Sequence, residues 1–188
     1  MVKIAFNVFA YLSLLGQVGI LIVLSLYFIK SFSKNKIYKK IKIFISKNAY
    51  YLAFFLSLIA TLSSLFISEI AKFPPCVLCW YQRIAMYPQP VLLFIAILKK
   101  EYVLKPYLIT INIIGGTIAL YHYLLQILPK SQFITCNKSL TGIAVSCTEK
   151  YNFYFGYMSF PLMALTVFIL LIIIILFSNN AKNTNRSK

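Results

Sequence analysis

The sequence predicts an all-α membrane protein, a four-helix transmembrane bundle with one additional N-terminal transmembrane helix, and three observations lead there. Of 188 residues, 61% are hydrophobic and only 12% charged, and the mean hydropathy of +0.82 is too high for a soluble domain of that size. The apolar residues fall in five runs, at residues 4–29, 49–70, 77–98, 107–128 and 153–177. Each reaches the about 20 residues needed to cross a hydrocarbon core about 30 Å thick. Basic or polar loops separate them. Open strands would leave backbone amides unpaired in lipid, and the short alternating segments of a membrane barrel are absent from the sequence.

The first run ends at Lys30 without an A-x-A-like site. It far exceeds the about 7–15 apolar residues of a signal peptide and is expected to stay attached. The second carries Ser57, Thr61, Ser64 and Ser68 on one helical face, a small polar stripe suited to helix packing. The third follows Pro74 and Pro75; proline suits a first helical turn, so this helix is predicted to begin at Cys76. Pro88 and Pro90 then interrupt it and should bend it by removing backbone bonds. The fourth contains Gly115 and Gly116, again read as a packing face, and His122, the only histidine. Tyr50, Tyr51, Trp80, Tyr81, Tyr151 and Tyr154 near span ends read as interfacial anchors. Residues 1–48 are thus an extra helix and basic loop, 49–177 the four-helix core, and 178–188 a disordered cytoplasmic tail.

A net charge of +16 could point to nucleic acid, but the cations lie in short inter-span loops, so no nucleic-acid partner is expected. Thirteen Lys and Arg fall in 30–47, 99–105 and the tail, against six on the alternate side. By the positive-inside rule this places the N-terminus outside and the C-terminus in the cytoplasm, with all four cysteines extracytoplasmic. Disulfides persist there.

The cysteines form two pairs, Cys76 with Cys79 at the mouth of the third span and Cys136 with Cys147 in the 129–152 loop. A sulfur at a helix N-terminus feels the positive end of the helix dipole, which favours thiolate and exchange. Arg83, four residues beyond Cys79, lies on the same face one turn along. There it could donate its fork of N–H groups to a quinone carbonyl or serve as an interfacial anchor. His122 sits about 10 Å below the outer end of its span, either as a functional ionisable group or as a neutral histidine satisfied by a hydroxyl. A four-thiolate zinc site is disfavoured because ten residues separate the second pair, so no metal is expected. Trp80 after Cys79 excludes C-x-x-C-H haem attachment. A purely structural disulfide suits the loop pair better than the close pair.

The stretches Cys76-Val77-Leu78-Cys79-Trp80-Tyr81-Gln82-Arg83 and Tyr121-His122-Tyr123-Leu124-Leu125-Gln126, with Cys136 and the segment from Cys147-Thr148-Glu149 to Phe160-Pro161, resemble the DsbB-type membrane thiol:quinone oxidoreductases and their shorter BdbC-like members. The resemblance covers the core at 49–177. It implies a bacterial cytoplasmic-membrane enzyme that oxidises a thioredoxin-like, DsbA-like extracytoplasmic partner. The implied relay runs through Cys136 and Cys147, then Cys76 and Cys79, to ubiquinone or menaquinone, with Arg83 and His122 beside the quinone ring. Residues 1–48 are additional to the pattern, and the loop between Cys136 and Cys147 is short compared with proteobacterial members. Vitamin K epoxide reductase-like proteins also join loop cysteines to quinone, but carry their C-x-x-C on a late helix. A multispan protein whose cysteines bind metal or lock its loops is the alternative of another class.

Overall fold

The computed structural model describes residues 2–28, 36–99, 104–128, 147 and 155–178. The loop cysteine Cys136 and the tail beyond residue 178 lie outside them. The elements are α1 (Val2–Phe28), α2 (Lys36–Leu65) closed by a π-helical turn (Phe66–Ile70), α3 (Val77–Met86), α4 (Pro88–Lys99), α5 (Lys105–Ile127) and α6 (Phe160–Phe177). The predicted all-α membrane bundle is borne out. Among the described residues, four stretches are long and apolar enough to cross a membrane alone, Ile4–Val23, Ile43–Ile70, Lys105–Ile127 and Phe160–Phe177.

The remaining span is the broken one. Pro88 and Pro90 donate no backbone hydrogen bond, so the helix divides at Tyr87 into pieces of 10 and 12 residues. α4 is then fixed to α5 by a clasp of two amides. Gln89 donates to Asn112 Oδ1 at 3.1 Å and accepts from Asn112 Nδ2 at 3.0 Å, with both side chains fully buried. Such interhelical bonds are worth about 1 kcal/mol in an apolar bundle.

Two boundaries differ from the sequence reading. α2 begins at Lys36, so part of the basic stretch at 30–47 is a helical extension of the second span, since lysine is a good helix former. α6 begins at Phe160 rather than at 153, because Phe155 and Gly156 adopt positive φ of 54° and 80° and Pro161 sits in the first helical turn. Tyr50 also departs from its anchoring role: it is 6% exposed and belongs to the core. Tyr51 and Tyr81 are exposed, and Tyr151 and Tyr154 lie outside the described residues.

The core joins α2, α4, α5 and α6 around Leu93, Leu108, Phe168 and Leu171. α5 approaches closely because Gly115 has no side chain: a Cβ there would stand 2.5 Å from the Phe168 ring and 3.0 Å from Ala85 Cβ. At the site end, Phe6 of α1 meets Phe73 and Phe160. At the other end, Lys105 Nζ donates to the carbonyls of Leu176 and Ser178 at 3.2 and 2.9 Å. Cations at a helix C-terminus satisfy orphan carbonyls and oppose its dipole.

Gly115→Ala should therefore lower the melting temperature in detergent, overpacking at a cost of about 1–3 kcal/mol. Gly116→Ala is the control. Its Cβ would meet nothing closer than 3.6 Å, and the helix-propensity gain of about 0.5–1 kcal/mol should leave stability unchanged or raised.

Candidate active site at the start of the third span

The π-helical turn ends α2 with Ala71 N–H donating to Phe66 O at 3.0 Å. The chain then reverses through Lys72 at φ 57°, and Pro74 and Pro75 bring it to Cys76. The helix starts there as predicted: Cys76 is the N-cap, with φ −72° and ψ 174°, and its sulfur accepts from the N–H of Cys79 at 3.4 Å. A side-chain acceptor in this position satisfies one of the orphan donors of a helix start. The two sulfurs lie 3.3 Å apart, at hydrogen-bond distance. Cys76 is buried, whereas Cys79 is half-buried and faces a cavity.

His122 reaches the pair from α5. Its Nε2 is 3.6 Å from Cys76 Sγ, and its Nδ1 is 3.1 Å from the amide nitrogen of Gln82. With that amide donating, Nδ1 is the acceptor and the ring proton sits on Nε2, against the sulfur. The ring is 2% exposed. The hydroxyl partner weighed for a neutral histidine is thus replaced by an amide and a thiol. Gln82 went unassigned in the sequence reading; its signal was its place on the C-x-x-C helix, facing α5.

Arg83 is held by α2. Nε donates to Ser64 Oγ at 3.1 Å and Nη2 to Ser64 O at 3.0 Å, while Tyr87 donates its hydroxyl to the same Oγ at 3.3 Å. The guanidinium carbon lies 5.4 Å from the Trp80 ring centre, within cation–π range. The stripe of small polar residues therefore does more than let helices approach, because Ser64 seats a charge. Three of the five guanidinium N–H donors carry no bond among the described residues.

Cys147 comes to the same place. It is buried in a cluster with Cys76, Leu78 and Leu125, against which Cys79, Ile118 and Tyr121 pack. Three of the four predicted cysteines are thus brought together at the end of α3. All three of these cysteines line a cavity of about 260 Å³, whose walls also include Arg83, His122 and apolar side chains of α2 and α6.

A multispan helical bundle with clustered thiols at an apolar cavity defines a membrane-embedded thiol oxidoreductase, and the known proteins it resembles agree. The family model for Disulfide bond formation protein DsbB matches residues 46–178, and the chain belongs to that family. Among its relatives, "Probable disulfide formation protein C 1" of Bacillus anthracis is 48% identical over 113 residues, 60% of this chain and 78% of that one. "Disulfide bond formation protein C" of Bacillus subtilis (strain 168) is 43% identical over 123 residues, 65% and 86% of the two chains. "SPbeta prophage-derived disulfide bond formation protein B" of the same strain is 42% identical over 125 residues, 66% and 81%. No solved structure matches significantly.

In reduced protein treated briefly with iodoacetamide, Cys79 should carry the label before Cys76, since Cys79 is half-buried and Cys76 is buried. Peptide mass spectrometry reads the order, and earlier labelling at Cys76 would contradict this geometry.

Proposed function

We propose that the protein oxidises an extracytoplasmic, thioredoxin-like dithiol partner and passes two electrons to a membrane quinone, ubiquinone or menaquinone. The observation that carries this reading is the gathering of Cys76, Cys79 and Cys147 on the wall of one largely apolar cavity, with Cys79 the half-buried member. The cavity suits a quinone head ring. Its walls are mostly apolar, Arg83 has spare donors, and its size, slightly under the about 300–1,000 Å³ usual for drug-sized ligands, leaves a prenyl tail to run into lipid.

A thiolate of the reduced partner attacks the Cys136–Cys147 disulfide at Cys136, forming a mixed disulfide and releasing Cys147 as thiolate. The partner's second thiolate then attacks its own sulfur in the mixed disulfide and frees Cys136. Cys147 attacks Cys76 in the oxidised Cys76–Cys79 pair and releases Cys79 as thiolate. Attack by Cys136 on Cys147 re-forms the loop disulfide and returns Cys76 as a thiol. In-line exchange of this kind needs sulfurs that meet, and the shared cluster of Cys147 and Cys76 supports the handover. When bound, a quinone supplies the terminal oxidant, accepting two electrons and two protons while the Cys76–Cys79 disulfide re-forms. Cys79 and Arg83 would hold the head group, Arg83 as hydrogen-bond donor to an oxygen, and the His122 Nε2–H would stabilise negative charge on the Cys76 sulfur. The net exchange is partner dithiol plus quinone to partner disulfide plus quinol. The charge asymmetry of the loops supports placing this end of the bundle outside the cytoplasm of a bacterial cytoplasmic membrane.

A second reading rests on Cys76, Cys79 and His122, whose donor atoms lie within 4.8 Å of one another. Tetrahedral zinc would need sulfurs about 3.8 Å apart and sulfur to nitrogen about 3.5 Å, against 3.3 and 3.6 Å here.

Purified protein given a reduced thioredoxin-like partner should bleach added quinone. Cys79→Ser should abolish this while Cys136 still exchanges thiols; undiminished bleaching in that variant removes Cys79 from the relay. Stoichiometric zinc after dialysis, lost in His122→Ala and accompanied by no turnover, would favour the metal reading. Arg83→Met should weaken quinone binding about 10- to 100-fold, the worth of a charged hydrogen bond, with both cysteine pairs still able to form. An unchanged affinity returns Arg83 to an anchor.

A further inference from the structure

α1 lies outside the matched 46–178 region, yet it is built into the cavity. Its outer half docks over α6 and the end of α2. Phe6 packs on Phe73 and Phe160 at ring separations of 5.5 and 5.6 Å, and Phe9 meets Phe66 at 6.0 Å. Gln17 then fixes the register, donating to Thr166 Oγ1 at 3.3 Å and accepting from the Tyr157 hydroxyl at 3.0 Å. Gly16 allows the approach, since a Cβ there would lie 3.0 Å from Leu170 Cδ1. Phe6 and Ala10 are buried at 3% and 1% exposure, so this half of the helix is a packed element.

Docked in this way, α1 sends Phe9, Leu12 and Ser13 into the lining that also contains Cys79 and Arg83. These three positions follow the i, i+3, i+4 spacing of one helical face. Ser13 Oγ is buried and has no hydrogen-bond partner. A buried hydroxyl without a partner is costly; Ser46, Thr61 and Ser159 share that state, but of these four only Ser13 lines the cavity, whereas Ser57 and Thr166 bond to carbonyls of their own helix. The oxygen is closed off from the cavity that Ser13 lines, so a turn about χ1 is what would present it to a ligand oxygen.

We propose that α1 is a fifth wall of the quinone site: Ser13 donates a hydrogen bond to an oxygen of the bound quinone head, and Phe9 and Leu12 flank the ring or the start of its prenyl tail. This rests on the quinone reading above and adds to it a set of binding residues from outside the four-helix core. The head group is thus held from two directions, by the guanidinium on α3 and by a neutral donor on α1.

Trp80, the only tryptophan, sits beside Cys79 and over Arg83 and reports occupancy by fluorescence quenching. In full-length protein with its cysteines oxidised, so that no electrons move, decylubiquinone or a short-chain menaquinone should quench it saturably. Ser13→Ala should raise Kd about two- to tenfold, the range of one neutral hydrogen bond, and Ser13→Thr should restore it. A photoreactive azidoquinone on the unmodified chain should also label residues 9–13, and that result decides the matter should Ser13→Ala fail to fold. Wild-type affinity in Ser13→Ala, with label absent from α1 but binding weakened in Arg83→Met, overturns the fifth wall and leaves the quinone site standing. No saturable quenching of the unmodified protein overturns both.

Discussion

A guanidinium inside a membrane bundle has to be held, and the hydrogen bonds from Arg83 to the hydroxyl and carbonyl of Ser64 are what hold it. Placing arginine at the centre of a bilayer costs about 2.5–3.5 kcal/mol on insertion scales, which neutral hydrogen bonds, a stacked indole and nearness to the interface offset. The arrangement ties α3 to α2 beside the cysteine helix. Much of the site follows from it. With Arg83 turned toward α2, the preceding residue Gln82, about 100° around α3, meets His122, whose other ring nitrogen lies against Cys76.

The broken span serves the same end. Pro88 and Pro90 interrupt its backbone hydrogen bonding after Tyr87, which keeps helical φ and ψ of −63° and −35°, while Gln89 clasps α4 to α5 through Asn112 and α3 meets α5 through Gln82 and His122. Close approach of α5 at Gly115 fills the space beneath Ala85 with the Phe168 ring. The cavity is left above, between α2 and α6, with a sulfur at its edge.

Much of the fold was legible in the sequence because membrane spans announce themselves by length and hydropathy, and because proline and glycine mark starts and bends locally. The start at Cys76, the interruption near Pro88 and the packing role of Gly115 are all of this kind. The start of α6 was misread because apolar composition continues through Phe155, where a left-handed turn stops the helix. Tyr50 looked interfacial by its place in the run, but α2 extends a further turn and more beyond it. The site was legible as a set of residue types rather than as contacts. Cys76, Cys79 and Arg83 share one helix and could be related by periodicity, but Ser64 under Arg83 and Gln82 against His122 join distant stretches, and no local spacing encodes such pairs. Cys136 lies outside the described residues, so the geometry of the loop pair is carried by Cys147 alone.

The division at Tyr87 also bears on how the number of crossings is counted. Neither 10 nor 12 residues reaches across a bilayer, and a tally of long helices stops at four, an even number that would return both termini to one face. Taken together, α3 and α4 run from Cys76 at the end where Phe6 and Phe160 meet to Lys99 on the approach to Lys105, which caps the far end of α6. Counted as one crossing, the pair brings the described residues to five, one for each apolar run of the sequence.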